Sequence, residues 1–319
     1  MSTRRQSDLG VGVGLRVPHY AAVLRDRPQV DFFEIISENF MVGGGKPLYH
    51  LARVLEHYRV VQHGVSLGIA GPTEPDREYL TRLKRLIRRT RSPWVSDHFC
   101  WCGAGGAHLH DLLPIPYTPE AVRRTVERAR MIQDFLEVPF ALENTSSYLT
   151  YRSSTLSEWE FISEVAERAN IGLLFDVNNV YVSAYNHGFD AQTFVREVPH
   201  QRIFQIHLAG HTNLGKYIID THRGAVSEPV LDLYRQTIAL TGPVSTLIEW
   251  DDEIPDLPVL LAEAERARQV RSEGLALHEG RVKSKSAVPR QPSALADPEP
   301  VAAWRQGGPR ESAADEIIG

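Results

Sequence analysis

The stretch Arg202–His222, RIFQIHLAGHTNLGKYIIDTH, decides how the chain is read. Its apolar run Ile203-Phe204-Gln205-Ile206 has the character of a strand buried on both faces, and it ends on His207. His211, Asp220 and His222 follow, with Gly210 and Gly215 at the bends. Three histidines thus fall within sixteen residues of a chain that has 13 in 319. Imidazole and carboxylate groups collected just past a strand end are what a metal site with nitrogen and oxygen ligands requires. A His-rich loop without a ligand would look the same in isolation, so the rest of the chain has to decide.

Outward from that stretch, short β-type runs alternate with helical patterns. Strands are expected at Val11–Leu15, Phe32–Ile36, Val60–Gln62, Trp94–Ser96, Pro139–Leu142, Ile171–Phe175, Ile203–Ile206 and Val244–Ile248. Strands separated by helices imply parallel pairing through right-handed crossovers, and eight such units in roughly 265 residues fit a TIM-like (β/α)8 barrel. Thr118 with Pro119 opens one helix, along which Val122, Val126, Ala129, Ile132 and Leu136 share a face. Ser157 with Glu160 makes a capping box ahead of Phe161 and Val165. The basic run Arg82–Arg91 reads as the solvated side of an amphipathic helix, because Leu80, Leu83, Leu86 and Ile87 lie at helical spacing through it. Gly43-Gly44-Gly45 lacks the Lys-Ser/Thr of a phosphate loop and reads as a flexible connection.

Composition narrows the class. At 42% hydrophobic and 24% charged residues the chain is an ordinary soluble globular protein, and its net charge of −5 argues against nucleic acid as a partner. No apolar run is long enough for a membrane span and the N-terminus carries no secretory signal pattern, so no membrane association is expected. The two cysteines, Cys100 and Cys102, are too close in sequence for an ordinary disulfide and read as loop thiols, consistent with a reducing cytoplasm. The barrel is expected over residues 1–268. Residues 269–319 hold five prolines and few large apolar residues, and they read as a disordered tail with Trp304 as a candidate partner contact.

What sits at the strand ends carries the chemistry. Strand three ends in His63, four in Asp97-His98, five in Glu143, six in Asp176, seven in His207 and eight in Glu249, with Glu34 in strand two and Glu38 just after it. Six successive strands ending in His, Asp or Glu aim metal-binding groups at the rim where barrel active sites lie. The set exceeds the needs of one ion, and a carboxylate such as Glu143 or Glu249 can bridge two, so a multinuclear centre is expected. Asp176 with Asn179, and Asp220 with His222, resemble the third-metal motifs of the endonuclease IV-like barrels, with Asn179 where those carry His.

The motifs GVGLRVPHY, FEIISENF, QHGVSLGIAG, SDHFCW, LLPIPYTPEA, ENTSSYL, FDVNNVYVSAYNHGF, IHLAGH, IDTH and TLIEWD resemble the DUF692 (UPF0276) family. These are multinuclear non-heme iron-dependent oxidative enzymes related to the methanobactin-biosynthesis oxidase. The resemblance spans residues 10 to about 268 and departs at Asp97, where many relatives carry Glu. It implies a barrel holding two or three irons of mixed Fe(II)/Fe(III) state, with O2 as co-substrate. The implied substrate is a ribosomally made precursor peptide, often modified at cysteine and delivered by a separate leader-recognition protein. Carried over residue by residue, it implies His63, His98 and Glu143 at one iron. Glu143, Asp176, His207 and Glu249 would hold the second, and Asn179, Asp220 and His222 a third. His211 and His187 are candidates for proton transfer or substrate contact. A redox-silent hydrolase or sugar isomerase using Zn2+ or Mn2+ is the alternative on the same barrel.

Overall fold

A computed structural model describes residues 6–104 and 107–287. Eight parallel strands close into a barrel in the order β1-β12-β9-β8-β7-β4-β3-β2. In chain order these are β1 (Val11–Gly14), β2 (Phe33–Ile36), β3 (Val60–His63), β4 (Val95–His98), β7 (Phe140–Glu143), β8 (Gly172–Asp176), β9 (Ile203–Ala209) and β12 (Ser245–Glu249). All eight expected strands are present. Several run further than expected, because His63, His98, Glu143, Asp176, His207 and Glu249 belong to the strands themselves. Two antiparallel hairpins, β5 (Trp101–Ala104) with β6 (Ala107–Leu113) and β10 (Thr212–Asn213) with β11 (Ile218–Ile219), rise from the C-terminal rim.

The helices are α1 (Tyr20–Asp26), α2 (Lys46–Leu55), α3 (Arg77–Thr90), α4 (Pro119–Leu136), α5 (Glu158–Ala169), α6 (Val177–His187), α7 (Ala191–Glu197), α8 (Glu228–Thr241) and α9 (Leu257–Ala287). Their starts follow the expected chemistry. Thr118 accepts a hydrogen bond from the Ala121 amide, and Ser157 and Glu160 close a reciprocal capping box. On α3, Leu80, Leu83, Leu86 and Ile87 are buried while Arg82, Arg85, Arg88 and Arg89 face solvent, as the spacing required. The two cysteines are free and buried; Cys100 lies in the bend between β4 and β5, and Cys102 lies within β5 rather than in a loop.

The expected barrel boundary at residue 268 falls inside a helix. Helix α9 continues through residue 268 to Ala287, with Val270 buried and Arg271 paired to Asp8. An added Cβ at Gly274 would stand 2.8 Å from Arg235 O and Ile238 Cβ, so α9 lies against α8 there. Ala, Glu, Leu and Arg, all good helix formers, carry α9 through a segment that its lack of large apolar groups made look disordered. Residues 288–319, including Trp304, lie outside the described residues. Among the described residues no helix is long and apolar enough to cross a membrane.

The bottom of the barrel is filled by Phe32, Val61, Trp94, Ala141, Phe204 and Leu247. Gly172 is needed here, since a Cβ on it would stand 2.3 Å from the Phe204 ring. Side chains two apart on a strand share a face. The same strands that send Val61, Ala141 and Leu247 to the apolar plug therefore send His63, Glu143 and Glu249 to the layer above it. That alternation delivers polar groups to the barrel interior at one level.

Candidate metal centre

The strand register makes neighbours of the polar residues. His98 pairs with Glu143 across β4 and β7, and Asp176 pairs with His207 across β8 and β9. Among the described residues, three groups of ligand atoms lie within 4.8 Å of one another: His63, His98 and Glu143; Glu143, Asp176, His207 and Glu249; His222, Glu249 and Asp251. Glu143 belongs to the first two and Glu249 to the last two, so the three groups are contiguous.

The first group has the dimensions of a coordination face. Glu143 Oε2 lies 3.2 Å from His63 Nε2 and 3.3 Å from His98 Nε2, and the two imidazole nitrogens are 3.3 Å apart. An ion with bonds of ~2.0–2.2 Å to nitrogen and oxygen sets adjacent donors roughly 3–3.5 Å apart. Outer contacts orient both rings. His63 Nδ1 is 2.9 Å from Ser96 Oγ, and His98 Nδ1 is 3.1 Å from the Gly64 carbonyl, which leaves each Nε2 for the interior.

In the second group His207 presents the opposite nitrogen. Its Nε2 stands 3.1 Å from Glu34 Oε1, while Nδ1 is 2.9 Å from Glu249 Oε2 and 3.7 Å from Glu143 Oε1. Glu34 is itself fixed by Gln205 Nε2 at 2.5 Å, and Gln205 accepts a bond from Trp94 Nε1 at 3.0 Å. A chain of hydrogen bonds thus runs from the apolar floor to His207 and sets its orientation. Glu249 is held from the other side by Arg16, whose guanidinium reaches Glu249 Oε1 at 3.3 Å and also pairs with Asp251.

The loop residues form a third arrangement. His222 adopts φ 48°, in the left-handed region, and its carbonyl accepts the amides of Asp251 and Asp252. Those bonds tie the loop after β11 to the segment after β12 and bring Asp251 beside His222. The bend at Gly210 admits no side chain, since a Cβ there would stand 2.2 Å from Arg223 O. Asp220 Oδ1 lies 3.0 Å from His222 Nε2, accepts Asn178 Nδ2 at 2.8 Å, and Asp220 Oδ2 accepts Ser146 Oγ at 3.1 Å. Asn178 therefore makes the contact to Asp220, whereas the Asn179 backbone N–H donates to Asp176 Oδ1 at 2.6 Å and its side-chain Nδ2 donates to the Asn144 carbonyl at 3.0 Å. His211 Nδ1 is 2.8 Å from Asn178 Oδ1 and its ring stacks on Tyr181. His187 lies apart, with Nε2 2.9 Å from the Ser147 hydroxyl and carbonyl.

Electrostatics show how much charge is packed here. Burial pushes Glu143 up to about 8 and Asp176 up to about 7, against the pull of neighbouring histidines. Burial opposes protonation of His98, yet Glu143 and Asp97 carry it up to about 9. Burial likewise works against His207 and His222, but Glu34 and Glu249 raise the first and Asp220 and Glu249 the second well above the usual imidazole range. Burial would raise Glu249, but His207 and His222 hold it well below the usual carboxylate range. Burial and the adjacent imidazoles His98 and His207 depress His63 strongly.

The donors fit a cation. Both Glu143 oxygens, Asp176 Oδ2, Asn179 Oδ1 and His207 Nδ1 are buried without a hydrogen-bond partner. Buried polar atoms are normally satisfied, and unpartnered oxygens and nitrogens gathered this closely are what a bound cation would satisfy.

A closed parallel barrel gathering imidazole and carboxylate groups at its C-terminal rim is the architecture of a metal-assisted barrel enzyme. Residues 10–272 match the RiPP precursor modification enzymes MbnB/TglH/ChrH, and the chain belongs to this enzyme family. A UPF0276 protein of Anaeromyxobacter sp. (strain Fw109-5) is 51% identical over 269 residues, covering 84% of this chain and 95% of that protein. Among solved structures, a D-tagatose 3-epimerase-like protein aligns with a TM-score of 0.52 at 15% identity, over 86% of this chain and 99% of that one. Endonuclease IV from Thermus thermophilus aligns with the same TM-score and identity, over 83% of this chain and 99% of its own. At that identity the likeness to both is one of fold.

Sequence reasoning passed over Arg16, Gln205 and Asp251. Arg16 and Gln205 act on the candidate ligands through hydrogen bonds, and Asp251 reaches His222 only through the contact between two loops.

Proposed function

We propose that the chain is a cytoplasmic multinuclear non-heme iron enzyme that oxidatively modifies a ribosomally synthesised precursor peptide at cysteine, using O2. The single observation that carries this reading is Glu143. Its two oxygens are buried without hydrogen-bond partners and face different histidines, His63 and His98 on one side and His207 on the other. A carboxylate so placed suits a bridge between two ions, with His63 and His98 at one and Asp176, His207 and Glu249 at the other. Asn179, Asp220 and His222 are the candidate holders of a third, and Asp251 stands beside His222. Mixed imidazole and carboxylate ligation suits iron, which when bound would supply the electrons for O2 reduction and a Lewis-acidic seat for the substrate thiolate.

The chain's own residues then have separable tasks. The Glu34–Gln205–Trp94 chain holds His207 in one orientation, and Arg16 fixes Glu249. Burial lowers His211, so it stays neutral at pH 7 and can accept a proton beside Asp220. A separate leader-recognition protein would present the peptide. The test is co-expression with the small open reading frame adjacent to the gene, followed by intact mass of the peptide and elemental analysis of the enzyme. A mass change that needs O2, with at least two irons per chain, is expected. Stoichiometric zinc or manganese with activity insensitive to iron removal would overturn the reading in favour of a redox-silent hydrolase or isomerase.

A further inference from the structure

A cavity of about 220 Å3 lies between the end of β6, the segment after β7 and the start of α5. That volume is below the ~300–1,000 Å3 of a site for a whole small-molecule ligand, and it suits one long side chain. Four partly exposed aromatic rings line it: Tyr117, Tyr151, Trp159 and Phe189. The Trp159 and Phe189 rings stand 5.7 Å apart. One carboxyl, Glu158, is buried in the wall and bonded to the Tyr117 hydroxyl, and the lining contains no lysine or arginine. Burial, only partly offset by the Tyr117 hydroxyl, pushes Glu158 up to about 8, the condition of an acid that lacks a cation beside it.

The segment after β7 links the cavity to the loop that carries Asp220. The cavity wall includes His187, held at 2.9 Å by Ser147, and the preceding Ser146 donates to Asp220. Consecutive residues are ~3.8 Å apart, so the lining begins one residue from a contact to the loop ligands.

We propose that this cavity is a subsite for a cationic side chain, lysine or arginine, of the peptide substrate. The proposal rests on the peptide-modifying function above. Aromatic rings around a carboxyl suit a cation taken out of water: the rings attract it through their quadrupoles, and Glu158, kept as the acid by burial in the empty cavity, would release its proton to solvent on binding and pair with it as the carboxylate. A lysine or arginine seated here would hold neighbouring residues of the peptide over the centre.

Direct binding tests this without turnover. The probes are glycine-flanked pentapeptides carrying lysine, arginine or norleucine, the last matching lysine in length without charge. The full chain is labelled with 5-fluorotryptophan, and the Trp159 signal is assigned with Trp159→Phe. The lysine and arginine peptides should shift that signal with a Kd lower by about tenfold or more than norleucine. Glu158→Gln should remove the preference while metal content stays unchanged. Tyr151→Leu, which removes one aromatic wall, should weaken the cationic peptides alone. Equal or tighter binding of norleucine, or no shift with any probe at millimolar concentration, overturns the subsite. Because no modification is read, a precursor that is modified while lysine shows no preference sinks only the subsite. Lysine binding without any modified precursor sinks only the proposed function.

Discussion

Replacing Glu143 by glutamine should strip metal from the protein while leaving its fold in place. Glu143 Oε2 faces His63 and His98 at 3.2 and 3.3 Å, and Oε1 faces His207 at 3.7 Å, so one side chain serves both groups. The amide keeps the volume but offers one neutral oxygen and an NH2 that cannot ligate. Loss of an outer contact to a metal ligand costs ~10–100-fold in affinity, so losing a bridging donor should cost at least about 100-fold at each ion. That is about 2.7 kcal/mol per ion. Glutamine buries no charge, so the metal-free variant should lose no more than about 1 kcal/mol of stability, a shift of ~2–4 °C in Tm. The assay is iron per chain after anaerobic Fe(II) reconstitution and desalting, beside thermal melting of the metal-free proteins. A variant that keeps as much tightly held iron as the wild type would refute the bridging role. A metal-free variant that melts far below its parent would show Glu143 to be structural instead.

Other outcomes follow from the same contacts. Glu158 has a folded-state value near 8 against an ordinary 4.5, so its buried neutral form stabilises the fold fully below about pH 4.5 and that contribution is lost as pH rises towards 8. Urea titrations should show stability falling by up to ~1.4 kcal/mol per pH unit across that window from this group, and Glu158→Gln should flatten the slope. Gly172→Ala should destabilise by ~1–3 kcal/mol in the same assay, because its Cβ would meet the Phe204 ring at 2.3 Å. Deletion after residue 268 should lower Tm measurably, since it removes buried Val270 and the Arg271–Asp8 pair; an unchanged Tm would mean the end of α9 adds nothing. Asp220→Ala should release less iron than His207→Ala, because Asp220 sits on a loop while His207 is a barrel residue wholly surrounded by donors.

Much of this arrangement could be read in the sequence because parallel barrel strands announce themselves as apolar runs, and the residue that breaks each run points into the rim. His63, His98, Glu143, Asp176, His207 and Glu249 were all legible in that way. Contacts between separate loops were not. Asp251 meets His222 because two amides after β12 bind the His222 carbonyl, a pairing between segments about thirty residues apart that no local spacing encodes. Asp176 is the N-cap of α6, which bends the Asn179 amide back onto it and leaves Asn178 to reach Asp220. The continuation of α9 was missed because its packing there rests on Gly274 set against α8 and on isolated apolar residues such as Val270 and Leu275 rather than on a dense apolar stripe.

The most direct test of the central claim is anomalous diffraction at the iron absorption edge from crystals of the reconstituted protein. The account predicts at least two peaks, roughly 3.5–4 Å apart, on either side of the Glu143 carboxylate. One should contact His63 and His98, and the other Asp176, His207 and Glu249. A single peak, or iron absent from Glu143, would contradict it.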